Sequence, residues 1–125
     1  FPSGTPVFQS PTFDSTVIPG NAFSINTACL VGIAAGAGIP GSNVFVQYAG
    51  PIALTIEQWA AVIAEAAPNG LERGRPYFLA ATSPSGAGGI ITLNPPGSGL
   101  VLIQVGIALS PTEMLVLLGA AVTNP

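Results

Sequence analysis

The sequence predicts a mainly β fold built from two related small β-barrel or β-sandwich units. Thirteen prolines and sixteen glycines divide the 125 residues into short pieces, which argues against long helices. The tetrapeptide Val-Gly-Ile-Ala occurs twice, at Val31–Ala34 and Val105–Ala108. We therefore expect a first unit at 1–53 and a second at 71–125, with a helix and turn linker at 54–70, together forming one compact domain.

The repeated tetrapeptide belongs to a longer repeat. Gly4–Phe8 (GTPVF) precedes the first copy and Gly74–Phe78 (GRPYF) precedes the second. An apolar run follows each copy, at Val44–Val46 and at Met114–Val116. Because the three elements keep their order, we interpret the chain as an internal duplication with a period near 70 residues.

Turn residues and β-branched or aromatic residues place the elements within each unit. The first unit is expected to contain an extended arm, a strand pair, a glycine-rich turn and a further strand, at Pro2–Pro19, Ala22–Ala35, Gly36–Asn43 and Val44–Ile52. The second unit is expected to contain strands at Tyr77–Thr82, Ile90–Leu93, Leu100–Leu109 and Met114–Leu118.

One helix is predicted within the linker, over about residues 55–67. Thr55 and Gln58 have the spacing of a capping box, in which each side chain bonds the other residue's backbone N–H. Trp59 lies on the apolar face, where we expect it to plug the core. That face also carries Ile56, Ala60, Ile63 and Ala67, and the opposite, exposed face carries Glu57, Gln58 and Glu65.

Charge is unusually sparse. Only 6% of the residues are charged, whereas soluble domains average about 25%, and the chain has neither lysine nor histidine. A lone monomer would have little charge to keep it in solution, so we expect neighbouring copies or a larger assembly to cover much of its surface. Two arginines cannot follow a line of phosphates, which excludes nucleic acid and disfavours anionic membranes. Gly99–Val122 is largely apolar, but it contains Glu113, and an acidic residue within a membrane-spanning helix is costly to insert, so we do not expect this segment to cross a membrane.

The sequence does not favour catalysis, so we expect no catalytic, metal-binding or cofactor-binding residue. Without histidine no Ser-His-Asp arrangement is possible, and the single Cys29, expected to be a small buried hydrophobe, is a poor basis for a zinc site. Gly36–Gly41 has dinucleotide-fingerprint spacing but leads into a strand rather than a helix. A carboxylate hydrolase remains the enzyme alternative, drawing on Glu57, Glu65, Glu72 and Glu113.

Two sets of residues are candidates for contacts between subunits. The proline-rich arm contains Phe1, Phe8 and Phe13. It either docks on its own chain or adds to a neighbour's sheet edge. Arg73 and Arg75 lie in the only charge cluster, which is either a solvated turn or a contact to a neighbour's carboxylate or carbonyl groups.

Several short motifs resemble modules of tailed-bacteriophage structural proteins. The resemblance covers roughly residues 4–118. In the first half, Val31–Ala34 and the strand near Val44–Val46 are similar to capsid decoration proteins. Elsewhere the shared motifs are Leu54–Trp59, Gly70–Leu71, Pro76–Leu79, Gly89–Thr92, Pro95–Pro96 and Val105–Ser110.

The resemblance implies a non-enzymatic virion protein that cements the head, forms a short head fibre or serves as a tail-fibre module. Of these we expect capsid decoration, in which the chain cements the head by bridging subunits of the major capsid protein. The resemblance further implies a homotrimer on the outer surface of the phage head, made in the bacterial host cytoplasm. The near absence of charge and the proline-rich start depart from the decoration pattern. The alternative is a tail-fibre or spike module, in which Tyr48, Tyr77 or Trp59 would stack on host sugars.

Overall fold

A computed structural model of the chain describes residues 1–82 and 88–125. The fold is mainly β, as the sequence predicts, with antiparallel sheets in a sandwich-like arrangement; none of them closes into a barrel within the described residues. The strands are β1 Pro6–Gln9, β2 Val17–Pro19, β3 Leu30–Ala34, β4 Val46–Gln47, β5 Ala49–Ala53, β6 Pro76–Leu79, β7 Ile91–Thr92, β8 Val101–Leu102, β9 Gln104–Ala108, β10 Glu113–Leu117 and β11 Val122–Thr123.

The strands form one sheet per half and a small third sheet. The first sheet has the order β2-β1-β3-β4, and the second has the order β5-β10-β9-β6-β7. Strands β11 and β8 form a two-stranded ladder. Apart from β5, the second sheet repeats the order of the first, with β7, β6, β9 and β10 in the places of β2, β1, β3 and β4.

The duplication extends to the register of individual residues. Val7 on β1 faces Gly32 on β3, and Tyr77 on β6 faces Gly106 on β9. The register shifts immediately after this pair in both sheets. The two VGIA segments are therefore paired with their neighbouring strands in the same way, including the shift in register.

Two pairs of glycines explain part of the repeated sequence. A Cβ on Gly32 or on Gly106 would collide with a carbonyl oxygen of the next strand, so both strands need glycine for close approach. Gly4 and Gly74 both have positive φ, at 88° and 81°. Each then donates its N–H to the end of the VGIA strand, at Ala34 O (2.8 Å) and Ala108 O (2.7 Å) respectively.

The linker helix, α1, spans Ile56–Ala60 and is shorter than predicted. The capping box between Thr55 and Gln58 is present. The helix stops before Ala67 because the following backbone pairs with β7. Ile91 donates to Val62 O and Ala64 donates to Ile91 O, both at 2.8 Å. Tertiary pairing thus overrides the helical spacing of the sequence.

Three further predictions need correction. The expected strand pair in Ala22–Ala35 is a short 3-10 helix at Ile25–Thr27 followed by β3. The expected single strand at Val44–Ile52 is divided at Tyr48, where the chain leaves the first sheet as β4 and joins the second as β5. Cys29 is exposed rather than buried.

Trp59 lies at the junction of the two halves. Its side chain is 0% exposed. The indole Nε1–H donates to Thr112 O at 2.9 Å in the second half, and Gly4 of the first half packs against the ring. The buried apolar cluster around it includes Ile33, Ile52, Leu79, Val105 and Met114, which come from both halves.

Candidate interaction surface

The outer edges of the two sheets differ. In the second sheet, β5 covers β10 over five residue pairs, from Glu113 opposite Ala53 to Leu117 opposite Ala49. In the first sheet, β4 is the edge strand, and no described strand lies beyond it. We call its open side, residues Phe45–Tyr48, the β4 edge.

Two large aromatic side chains lie on the β4 edge. Phe45 is 87% exposed and Tyr48 is 76% exposed. By the shared register, Tyr48 corresponds to Val116 of the second half, which is only 1% exposed. An open groove of about 360 Å³ runs along the edge, lined by Ala35 and by Phe45–Ala49.

The first half presents most of the exposed apolar surface. Within the described residues, eight of the eleven exposed large apolar side chains lie in residues 1–53, including all four exposed aromatic ones. The same stretch has a single charged residue, Asp14. This concentration of exposed apolar side chains with so little charge favours a protein–protein contact in the first half. The apolar set is Phe13, Ile18, Phe23, Ile25, Val31, Ile39, Phe45 and Tyr48.

The aromatic residues of the arm have different environments. Phe8 is only 6% exposed and packs inside its own chain, which leaves little of its side chain for a contact between subunits. Phe1 is half-buried: its carbonyl accepts the N–H of Gly38 at 2.8 Å, and its ring packs on that glycine. Phe13 is 66% exposed in the connection between β1 and β2 and stays a contact candidate.

The arginine cluster occupies an exposed turn. Arg75 Nη1 lies 3.6 Å from Glu72 Oε1, with both side chains about half exposed, so this ion pair contributes little to stability. Arg73 is also exposed. Both guanidinium groups are accessible to a partner.

The carboxylate of Glu65 is held by several hydrogen-bond donors. It accepts hydrogen bonds from the Thr92 hydroxyl, the Leu93 N–H (2.9 Å) and the Asn94 side chain (3.3 Å). Partial burial alone would raise its pKa, but these bonds favour the charged form more, so the pKa lies below its ordinary value of 4.5. Its predicted place on an exposed helical face is wrong, because the helix ends before it.

Two of the four glutamates considered for a hydrolase lie at the same pocket. Glu65 and Glu72 both line a second pocket of about 270 Å³, together with Tyr77. The Tyr77 hydroxyl accepts the N–H of Glu72 at 2.9 Å, and burial raises the pKa of this phenol.

Within residues 1–82 and 88–125, no group of three or more Asp, Glu, Cys or His residues could hold a metal ion. Glu57 is exposed on α1, and Glu113 lies half-buried in β10.

Two of the three aromatic residues proposed for sugar stacking are not accessible. Tyr77 and Trp59 are both in the core, and only Tyr48 presents its ring at the surface. Sequence reasoning missed Phe45 as a surface residue, although alternation in Val44–Ile52 indicated a strand. Whether a strand lies at an edge depends on pairing partners distant in sequence.

Comparison of the chain with protein-family models, with curated proteins and with solved structures finds no match. Across the described part of the chain, no helix has the length and apolar character needed to cross a membrane.

Proposed function

We propose that the chain is a non-enzymatic structural protein of a tailed-bacteriophage virion, acting as a capsid decoration protein on the outside of the head. The observation that carries the proposal is the asymmetric surface, because the first half combines a single charge with most of the exposed large apolar side chains. The resemblance of the VGIA-containing motifs to phage structural modules supports the same assignment.

The mechanism is adhesive. Apolar surface of the first half becomes buried against the major capsid protein, at about 25 cal/mol per Å². Exposed Phe13 is the anchor we expect in that half, and Arg73 and Arg75 provide donors for carboxylates or carbonyls from the other half. Repetition of a modest contact over a symmetric shell stabilises the head.

The location is tested by antibody labelling of particles made by the phage or prophage whose genome encodes this sequence. We expect gold particles on the heads, with the chain detected by mass spectrometry of the purified particles. Label on the tails alone would overturn the decoration role, and absence of the chain from the particles would overturn the virion role.

The contact surface is tested by adding purified protein to heads from which the chain is missing. We expect Phe13→Lys to weaken binding at least tenfold, because it places a charge at the centre of an apolar contact. Val122→Lys is the control, a change of the same kind at an exposed apolar residue of the second half that lies in β11 rather than beside the arginine turn. Equal loss in both variants would show that binding is not confined to the first half, and no loss in Phe13→Lys would show that Phe13 is not an anchor.

A tail-fibre or spike module that binds host sugars is the second candidate, and the exposed ring of Tyr48 beside the β4 groove favours it. In that case the protein would bind host cells or a glycan array, Tyr48→Ala would abolish the binding, and gold would label the tail.

A further inference from the structure

We propose that the β4 edge is a self-association site, where a second copy of the chain pairs through its own β4 edge. The two edge strands would run antiparallel about a twofold axis, and the first sheet would continue from one copy into the other. This inference concerns the protein itself and does not depend on where in a particle it is located.

The second half of the chain shows that an edge of this kind can pair with another strand. In the second sheet the corresponding edge, on β10, is covered by the chain's own strand β5 in antiparallel pairing. The two sheets share strand order and register up to this edge. The β4 edge is therefore equivalent to the edge of β10, but it has no strand of its own chain paired to it within the described residues.

The backbone of β4 has hydrogen-bonding groups available on this side. Phe45 O accepts the N–H of Ala35 at 2.8 Å, and Gln47 is opposite Ile33 in the ladder with β3. Because backbone groups alternate along a strand, the N–H and C=O of Val46 point away from β3. The Gln47 side chain donates to Pro51 O (2.6 Å) just beyond β4, so we expect pairing to centre on Val46.

The edge carries none of the side chains that normally prevent edge-to-edge pairing, although β4 itself has only two residues. Natural edge strands carry lysine, proline or inward-pointing charge. Residues 43–48 contain none of these, and no charged residue occurs anywhere from 15 to 56. A surface without charge cannot select a partner by charge complementarity, whereas an antiparallel edge is complementary to itself in its backbone hydrogen bonds.

The other donor within the chain is already engaged. The segment after β10 corresponds in sequence position to β5, but its end pairs with β8 as β11. Asn124 holds it further, donating its N–H to Leu100 O and accepting that of Gly99, both at 2.7 Å. Donation of this tail to a neighbour would break these bonds, whereas edge-to-edge pairing breaks none of them.

The backbone pairing is short, so Phe45, Tyr48 and the nearby exposed Ile39 must supply most of the buried area. A contact of this kind falls at the small end of specific interfaces, which bury about 1,200–2,000 Å² in total. We therefore expect reversible, concentration-dependent dimers rather than a permanent dimer.

The experiment measures mass by sedimentation velocity from dilute to concentrated protein, and amide hydrogen exchange over the same series. A reductant is present throughout because exposed Cys29 would otherwise be able to crosslink two copies. We expect a monomer–dimer equilibrium in which exchange of the Val46 amide slows as the dimer forms. The Met114 amide, at the equivalent position under β5, is the internal control and should exchange slowly at every concentration.

Variants test the edge itself. Val46→Pro removes the outward N–H without removing a donor to β3, and Tyr48→Lys places a charge on the contact; each should lower the dimer association constant at least tenfold. Phe13→Lys makes the same kind of change away from the edge and should leave the dimer intact. If Val46→Pro does not fold, as judged by circular dichroism, Tyr48→Lys alone decides.

The proposal is overturned by a protein that stays monomeric throughout, by a trimer, which is the assembly that the resemblance to phage proteins implies, or by a dimer in which the Val46 amide still exchanges rapidly. Dimerisation of Tyr48→Lys with unchanged strength would also overturn it. None of these results affects the virion assignment, which depends on particle labelling.

Discussion

The two halves of this chain have the same strand order and the same irregular register, but they differ at one edge. In the second half, β5 covers the outer strand, and Val116 is buried. In the first half, the equivalent edge is open, and aromatic side chains face solvent there. The second half thus completes its sheet with β5, whereas the first half keeps an uncovered edge within the described residues.

The strand that closes the second half comes from the first. The chain leaves the first sheet at Tyr48 and continues as β5 against β10. The two halves are therefore joined by strand pairing, by the core cluster and by the junction around Trp59. Substitutions at the junction should destabilise both halves. Substitutions at equivalent positions of the two sheets should show whether the covered edge strand β10 resists displacement more than the open edge strand β4.

The largest expected effect is at that junction. Trp59→Ala should lower the free energy of unfolding by about 3–5 kcal/mol, because it empties a fully buried site between the halves. Trp59→Phe keeps most of the volume but loses the hydrogen bond to Thr112 O, and should cost about 1–2 kcal/mol. Denaturant unfolding followed by circular dichroism measures both; an equal, small loss in the two variants would show that the junction is not tightly packed.

The equivalent strand glycines test the difference directly. Gly106→Ala pushes a Cβ into β10, which is held by β9 on one side and β5 on the other. Gly32→Ala makes the same change against β4, an edge strand that can move outward. We expect destabilisation of about 3 kcal/mol for Gly106→Ala and about 1 kcal/mol for Gly32→Ala. Equal costs in thermal unfolding would mean that β4 is as firmly held as β10.

The sequence was a good guide to what is repeated and a poor guide to how the repeats meet. The mainly β class, the capping box of Thr55 and Gln58 and the strands containing VGIA follow from local patterns, and they are present. Strand β5 could not be assigned to the second sheet from Val44–Ile52, because alternation does not specify which neighbour a strand pairs with. For the same reason, the sequence did not predict that β4 is an edge strand or that α1 ends early.

Predictions of single exposed side chains were equally uneven. Phe8 and Phe13 look alike in the sequence of the arm, yet only Phe13 reaches solvent, since Phe8 lies in β1. Glu65 appeared to be on a wet helical face, but the backbone turns toward β7 before reaching it. These outcomes depend on contacts over long sequence separations, which local periodicity does not encode.

The smallest expected effect concerns the strand that Glu65 holds. Its carboxylate binds the end of β7 through Thr92 and the two residues that follow, whereas the equivalent residue of β2, Ile18, is exposed and has no carboxylate partner in the described residues. Glu65→Gln should therefore make the second half more like the first. We expect a loss of about 1 kcal/mol at pH 7, because the site is partly open to water.

The pH dependence gives that change a distinctive signature. Since the folded pKa of Glu65 lies below its ordinary value of 4.5, its contribution is fully present above about pH 4.5 and is lost as the pH falls through the folded pKa. The stability difference between the wild type and Glu65→Gln should thus shrink as denaturant midpoints are measured from pH 7 down to about pH 3. Glu57→Gln, at an exposed carboxylate on α1, is the control and should change stability by no more than a few tenths of a kcal/mol. A difference that stays constant with pH would show that Glu65 acts through shape and neutral hydrogen bonds, and that its charge does not distinguish the two halves.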